Sequence, residues 1–334
     1  MTMANVQTNT QAKSAQAGGY FSHLLSNEFM WIWLGTAILF VVSGYLAPGT
    51  VKLSSIAAML PFAAMLAIAA VGQTVVIQQR GLDMSLPGMM TAGGIVFATL
   101  SFATDSILLT FILTFAIAVA IGTVNGLLVA KLNITPIVAT LATNAIMLGA
   151  IRQISRGSPI TVPQYLDDFS HIRLFGLPLT LGLALLFVIL VSVMTRSTVL
   201  GRRFVAVGAN PVTALAAGIP VLRYQVGTYA LASVCFCVAG ILYAGYIGSA
   251  SHVAGNDYLL PAIAAVVVGG TPFSGGRGSV VASGVAALFM TQLGQLVVSL
   301  GASTPVQLLV QAGAIILAMT IRHLPTVISF LRMK

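Results

Sequence analysis

The chain has 334 residues, of which 58% are hydrophobic and 6% charged, whereas a soluble domain carries roughly 25% charged residues. A water-soluble monomer is excluded. The net charge of +9 comes from Lys and Arg scattered between apolar runs, with no basic face, so it reads as membrane topology and not as a nucleic-acid surface.

Residues 1–28 are polar and rich in Gln, Thr, Ala and Gly, which predicts a disordered cytoplasmic tail. No small-residue cleavage site accompanies the first apolar run, so that run is expected to be an uncleaved helix. Charges are costly in hydrocarbon and therefore punctuate the spans. The charge-free windows are Phe29–Val51, Leu53–Gln79, Met84–Thr104, Ser106–Ala130, Leu132–Ile151, Leu174–Thr195, Tyr224–Asn256, Tyr258–Gly276 and Gly278–Ile321. The last is interrupted at Gly301–Pro305 and predicts two helices joined by a tight turn.

The expected fold is an all-α polytopic membrane protein of about ten helices, forming one transmembrane domain over residues 29–321 with a cytoplasmic tail over 322–334. Pro61 and the charged elbow after Gln79 make Leu53–Thr104 the stretch where a broken or re-entrant helix is expected. Ten spans put both ends on one side. Placing them in the cytoplasm leaves only Lys52, Arg152, Arg156 and Arg173 of the basic residues outside, the asymmetry of a correctly oriented inner-membrane protein.

Two connections are long. The periplasmic loop 152–175 contains mixed charge, Pro159 and Pro163; it is either a solvated loop or a docking surface for an external partner. The cytoplasmic loop 196–223 contains AVGANPVTALAAGIP (Ala206–Pro220). Here Asn210 suits a helix N-cap, Pro211 the first helical position and Gly218 a C-terminal stop. A helix of about two turns cannot stand alone in water. Its apolar knob, Val212, Leu215, Ala216 and Ala217, either packs back on the chain or seats in a cytoplasmic partner.

Enzyme chemistry is not evident. No lysine follows a glycine as a phosphate-binding Walker loop requires, and GGTPFSGGRGS (Gly269–Ser279) fits no nucleotide pattern. Its glycines predict a turn that lets a helix end inside the membrane zone and restart at Ser279. His23, His171, His252 and His323 are far apart in sequence, and Cys235 and Cys237 point to opposite sides of a helix, so neither a metal site nor a disulfide is expected. Asp83 is the one acidic residue within the spans. Beside Arg80 at helical i,i+3 spacing, it is expected to form a neutralising clamp and not a proton relay. Neutral amides suit an uncharged solute without the desolvation cost of a charge. Gln73, Asn125, Gln292 and Gln295 are therefore candidate path residues.

The segment AVGANPVTALAAGI resembles the cytoplasmic coupling loop of permease subunits from bacterial ATP-binding-cassette importers of the ribose type. The likeness continues through RGLDMSLPG (Arg80–Gly88), NGLLVAKLNITPIVATLAT (Asn125–Thr143) and AIAAVVVGGTPFSGGRGSVVASGVAAL (Ala262–Leu288). It implies coupling to an ATPase through Ala206, Gly208, Asn210, Pro211, Ala214, Ala216, Ala217 and Gly218. It also marks an elbow and a glycine turn at Arg80, Gly81, Asp83, Ser85, Gly270, Ser274, Gly275, Gly276 and Arg277. The implied partners are a second permease subunit, identical or paralogous, cytoplasmic nucleotide-binding cassettes and a periplasmic sugar-binding protein, with membrane lipid around the chain. ATP and Mg2+ would be bound by the cassettes, leaving this chain with no cofactor. A nucleoside or furanose signal as cargo, or a self-sufficient secondary carrier, are the alternative readings.

Overall fold

The computed structural model describes residues 31–104 and 106–332; the expected N-terminal tail lies outside them. Among the described residues, each of the ten expected spans corresponds to one apolar helix. Seven are long enough to cross a bilayer: α2 (Leu53–Gln78), α3 (Leu86–Ala103), α4 (Ile107–Ala130), α5 (Pro136–Ser155), α7 (Leu179–Ser197), α10 (Val221–Ile247) and α12 (Val280–Ser299). The other three are α1 (Trp31–Leu46), the short α11 (Leu259–Val268) and α13 (Thr304–Arg332). Because α13 continues unbroken to Arg332, the expected C-terminal tail extends the last helix.

The interior is built on α2 and α10. Every residue of α2 from Ala63 to Gln78 is buried. It packs on α12, α10 and α7, while α10 packs on α4, α3 and α2. Lipid tails offer no hydrophobic drive, so close backbone approach has to supply the attraction. A Cβ on Gly240 of α10 would lie 1.8 Å from the Met90 carbonyl, and one on Gly93 of α3 would lie 2.5 Å from the Cys237 carbonyl. Gly122 and Gly126 press α4 on the backbone of α10 in the same way. Gly240→Val is expected to overpack this contact by about 3 kcal/mol and to reduce the monodisperse yield in detergent. Gly149→Val, whose Cβ meets nothing within 4 Å, should be tolerated in the same size-exclusion assay. In contrast, α4, α5 and α7 carry strongly exposed apolar residues such as Leu108, Ile146 and Ile189, the outer faces that meet lipid or another subunit.

Pro61 does not break α2. The chain leaves helical geometry at two other places. The first is the elbow, residues 79–85, where the break was expected. The second, unexpected, follows α10: residues 248–258 run without α-helix before α11 begins. At about 15 Å, α11 covers only half a bilayer core. The same string, Asp-x-x-Leu-Pro, opens both α3 (Asp83–Pro87) and α11 (Asp257–Pro261). Non-helical backbone at this depth needs internal partners, and the Gly255 N–H finds one in Thr91 Oγ1 at 3.1 Å.

The loop 152–175 is not loose. Its β1 (Ile160–Thr161) pairs antiparallel with β4 (Ser249–Ala250). Its α6 (Gln164–His171) buries Leu166 and Ser170 against Gly245 of α10. A tight hairpin, β2 (Arg173–Leu174) with β3 (Leu177–Pro178), then leads into α7 and leaves Phe175 fully exposed at its tip.

Candidate functional site

The loop 196–223 forms two short helices. The first, α8 (Val199–Ala209), was not expected from the sequence; Thr198 caps it through its hydroxyl, which accepts from the Gly201 N–H. The second, α9 (Pro211–Ala216), is the expected one. The Asn210 side chain accepts from the N–H groups of Val212 and Thr213, both at 3.1 Å. At the other end Gly218 turns left-handed at φ +76°, and the Ile219 N–H donates back to the Ala214 carbonyl, closing the helix as glycine stops do. Ala214 is buried. Val212 and Leu215 are 78% and 65% exposed, with Ala216 and Ala217 exposed beside them, so the knob projects and does not pack back.

Three motifs distant in sequence meet at α8. The Gln79 amide donates to the Phe204 carbonyl at 2.7 Å, and Arg80 Nε donates to the Gly208 carbonyl at 2.8 Å, with Arg80 Nη2 on the Ala209 carbonyl. The Gly276 N–H donates to the Gln78 carbonyl at 2.9 Å. Gly208 is required by contact: a Cβ there would lie 2.1 Å from the Gln78 carbonyl. Gly270, Gly275 and Gly276 all have positive φ, and Gly275 lies against Arg80 while Gly276 lies against Ala209. Ser274 and Arg277 are on the exposed rim of this turn. As expected, the chain re-enters a helix at Ser279, whose Oγ accepts from the Ala282 N–H and from Arg196 at 2.8 Å.

The expected Arg80–Asp83 clamp does not form. Arg80 has a left-handed backbone (φ 63°), which removes the helical spacing that would bring the two together, and its guanidinium is used on the Gly208 and Ala209 carbonyls. Asp83 turns the other way. Its Oδ1 accepts from the Ser85 N–H and hydroxyl at 2.8 and 2.5 Å. Gly81 leaves room for the Tyr229 hydroxyl, which would lie 2.5 Å from a Cβ.

The elbow therefore has two sides. On its second side, Asn125 of α4 donates to Ser85 Oγ at 3.0 Å and accepts from Thr143 of α5 at 2.6 Å. The Gly88 N–H donates to Asn144 at 2.7 Å and the Met84 N–H to Thr140 at 2.9 Å. Gln73, in the amide orientation that satisfies both its atoms, bonds the Asp83 backbone at 3.2 and 3.3 Å. Gln73 and Asn125 are thus joined in one buried network at the elbow. Gln292 is buried with neither amide atom hydrogen-bonded among the described residues, and Gln295 reaches only the Ser55 carbonyl, at 3.5 Å. These two lie apart from the network on α12.

A cleft of about 530 Å³ opens beside α8, lined by Val75, Met194, Phe204 and Leu231 with Arg203 and Arg223. Most of its lining is apolar, with Arg203, Arg223, Tyr224 and Thr228 as its polar side chains. No group of three or more metal-ligating side chains is present among the described residues.

The family model for the permease component of branched-chain amino acid transport systems matches residues 55–319. The chain belongs to this family. It is 33% identical over 289 residues to the ribose import permease protein RbsC of Bacillus subtilis (strain 168), covering 85% of this chain and 89% of that one. It is 30% identical over 313 residues to the galactose/methyl galactoside import permease protein MglC of Salmonella typhimurium, covering 88% and 93%. It is 32% identical over 235 residues to the autoinducer 2 import system permease protein LsrD of Photorhabdus luminescens, covering 68% and 71%. No solved structure matches the chain. As a permease of this family, the chain is a multi-pass membrane protein whose α8, α9, elbow and glycine turn lie within the matched region.

Proposed function

We propose that this permease is the membrane half of an ATP-driven importer of a monosaccharide, seated in a bacterial inner membrane with both ends in the cytoplasm. A second permease subunit completes the path, separate cassettes bind ATP and Mg2+ and hydrolyse the nucleotide, and an external binding protein delivers the sugar. The observation that carries this reading is the exposed, doubly capped α9, which follows directly on α8, whose Phe204, Gly208 and Ala209 carbonyls accept from Gln79 and Arg80 of the elbow. It is a lever with its free end presented outward. Although the family description names branched-chain amino acids, the relatives above are import permeases for ribose and galactose, and neutral amides favour an uncharged cargo.

In this reading, closure of the cassettes displaces α9. The bonds from Phe204, Gly208 and Ala209 transfer that displacement to the elbow, and the Ser85–Asn125–Thr143 chain transfers it to α4 and α5. Rigid-body tilting of packed helices then alternates the opening of the path. Gln73 and Asn125 serve the transfer; Gln292 and Gln295 remain candidates for solute contact.

The test is uptake of labelled ribose and galactose into proteoliposomes holding the permease with its co-expressed cassettes and binding protein. Accumulation that requires ATP on the cassette side is expected. Accumulation against a gradient by the permease alone would make it a secondary carrier and end this reading.

A further inference from the structure

We propose that the half of the molecule facing away from the lever carries an aromatic slide, which conducts the sugar from the outer cap to a polar contact at Asp257. This rests on the sugar-import reading above.

Four ring contacts are continuous. His171 of α6 stacks on Tyr246 at 4.9 Å between centroids and 19° between planes. Tyr246 meets Phe62 edge-on at 5.3 Å, Phe62 meets Tyr243 at 6.5 Å, and Tyr243 meets Tyr258 edge-on at 5.7 Å. His171 is exposed, and Phe62, Tyr243 and Tyr246 are part-exposed. Tyr258, at the inner end, is buried, so the rings open to a solute are His171, Tyr246, Phe62 and Tyr243. Aromatic faces beside a few polar groups are the lining that small-molecule sites use, and rings with polar tips, such as Tyr, give a sugar an apolar face and a hydroxyl together.

The run goes inward. Gly255 packs on Pro87, where a Cβ would lie 2.2 Å from its carbonyl. Pro87 is at the elbow end of α3, about 24 Å by helical rise from the other end at Ala103. The Tyr258 hydroxyl reaches Met65 Sδ, midway along α2. Asn256 and Asp257, between these two fixed points, are nevertheless exposed, and Asp257 is within electrostatic reach of Tyr243 and Tyr258. A carboxylate at that depth is costly against lipid, and we take it to face a water-filled space. There it can accept hydrogen bonds from sugar hydroxyls, and the neighbouring Asn256 can donate and accept.

Two measurements test the slide. Cys235 and Cys237 are fully buried, so Asn256→Cys would be the reactive thiol, and in the assembled transporter a charged, membrane-impermeant maleimide is expected to label it from outside. Tyr243→Phe should keep ribose uptake within twofold of wild type, whereas Tyr243→Leu and Asp257→Ala should lower it at least tenfold without lowering binding-protein-stimulated ATP hydrolysis. If the partner permease covers this surface, Asn256→Cys stays unlabelled and the slide is wrong. If Tyr243→Leu transports as well as Tyr243→Phe, the rings only pack, and the slide is again wrong. Failure of the functional reading is distinguishable, since the wild-type assembly would then move no sugar at all.

Discussion

Arg80→Met is expected to leave the chain folded and inserted while lowering ATP-coupled uptake on the order of 100-fold, with hydrolysis by the cassettes continuing. The guanidinium donates to the Gly208 and Ala209 carbonyls, and hydrogen bonds from charged groups contribute about 1.5–3 kcal/mol each. Methionine keeps the apolar stem that packs near Gly275 and removes both donors. Only the Gln79–Phe204 bond and the glycine contacts then hold the lever to the elbow. Membrane yield, hydrolysis and uptake should be measured on the same preparation. Loss of all three would mean that Arg80 serves folding; retention of uptake would mean that the stroke travels by another route.

Ala216→Arg should act one step earlier. Its side chain sits on the exposed knob, so the permease itself has no reason to misfold, and the added cation would be buried unpaired wherever a cassette seats on α9. Breaking complementarity in this way costs several kcal/mol, enough to lower recovery of the cassettes in a pull-down at least tenfold. Gly218→Val should weaken the same lever from its other end, because a β-branched residue at φ +76° is strained by about 1–2 kcal/mol. Normal transport by both variants would show that α9 is not the coupling element.

These outcomes depend on features that differ in how far sequence reveals them. The small helix was legible because capping is local: Asn210, Pro211 and Gly218 lie within nine residues, and each acts on its own backbone. The glycine turn was legible for the same reason. The Arg80–Asp83 pair misled because charge spacing was read on an assumed helix, while the chain turns left-handed at Arg80. The amphipathic α8 escaped notice inside a loop too polar to read as a span. The break after α10 was hidden in a charge-free window, since neutral residues such as His252 and Asn256 do not reveal where backbone leaves the helix.

By itself the sequence determined that this is a polytopic membrane protein, roughly where its apolar helices lie, and that a short capped helix sits in one long connection, because burial of charge and the chemistry of helix ends are properties of neighbouring residues. Only the tertiary structure decided that lever, elbow and glycine turn are one junction, that Gln73 and Asn125 belong to it, and that aromatic rings from α2, α6 and α10 align with Tyr258 into one run. Those contacts join residues up to two hundred positions apart, and which side chains meet across that distance is set by how closely glycine-bearing helices pack.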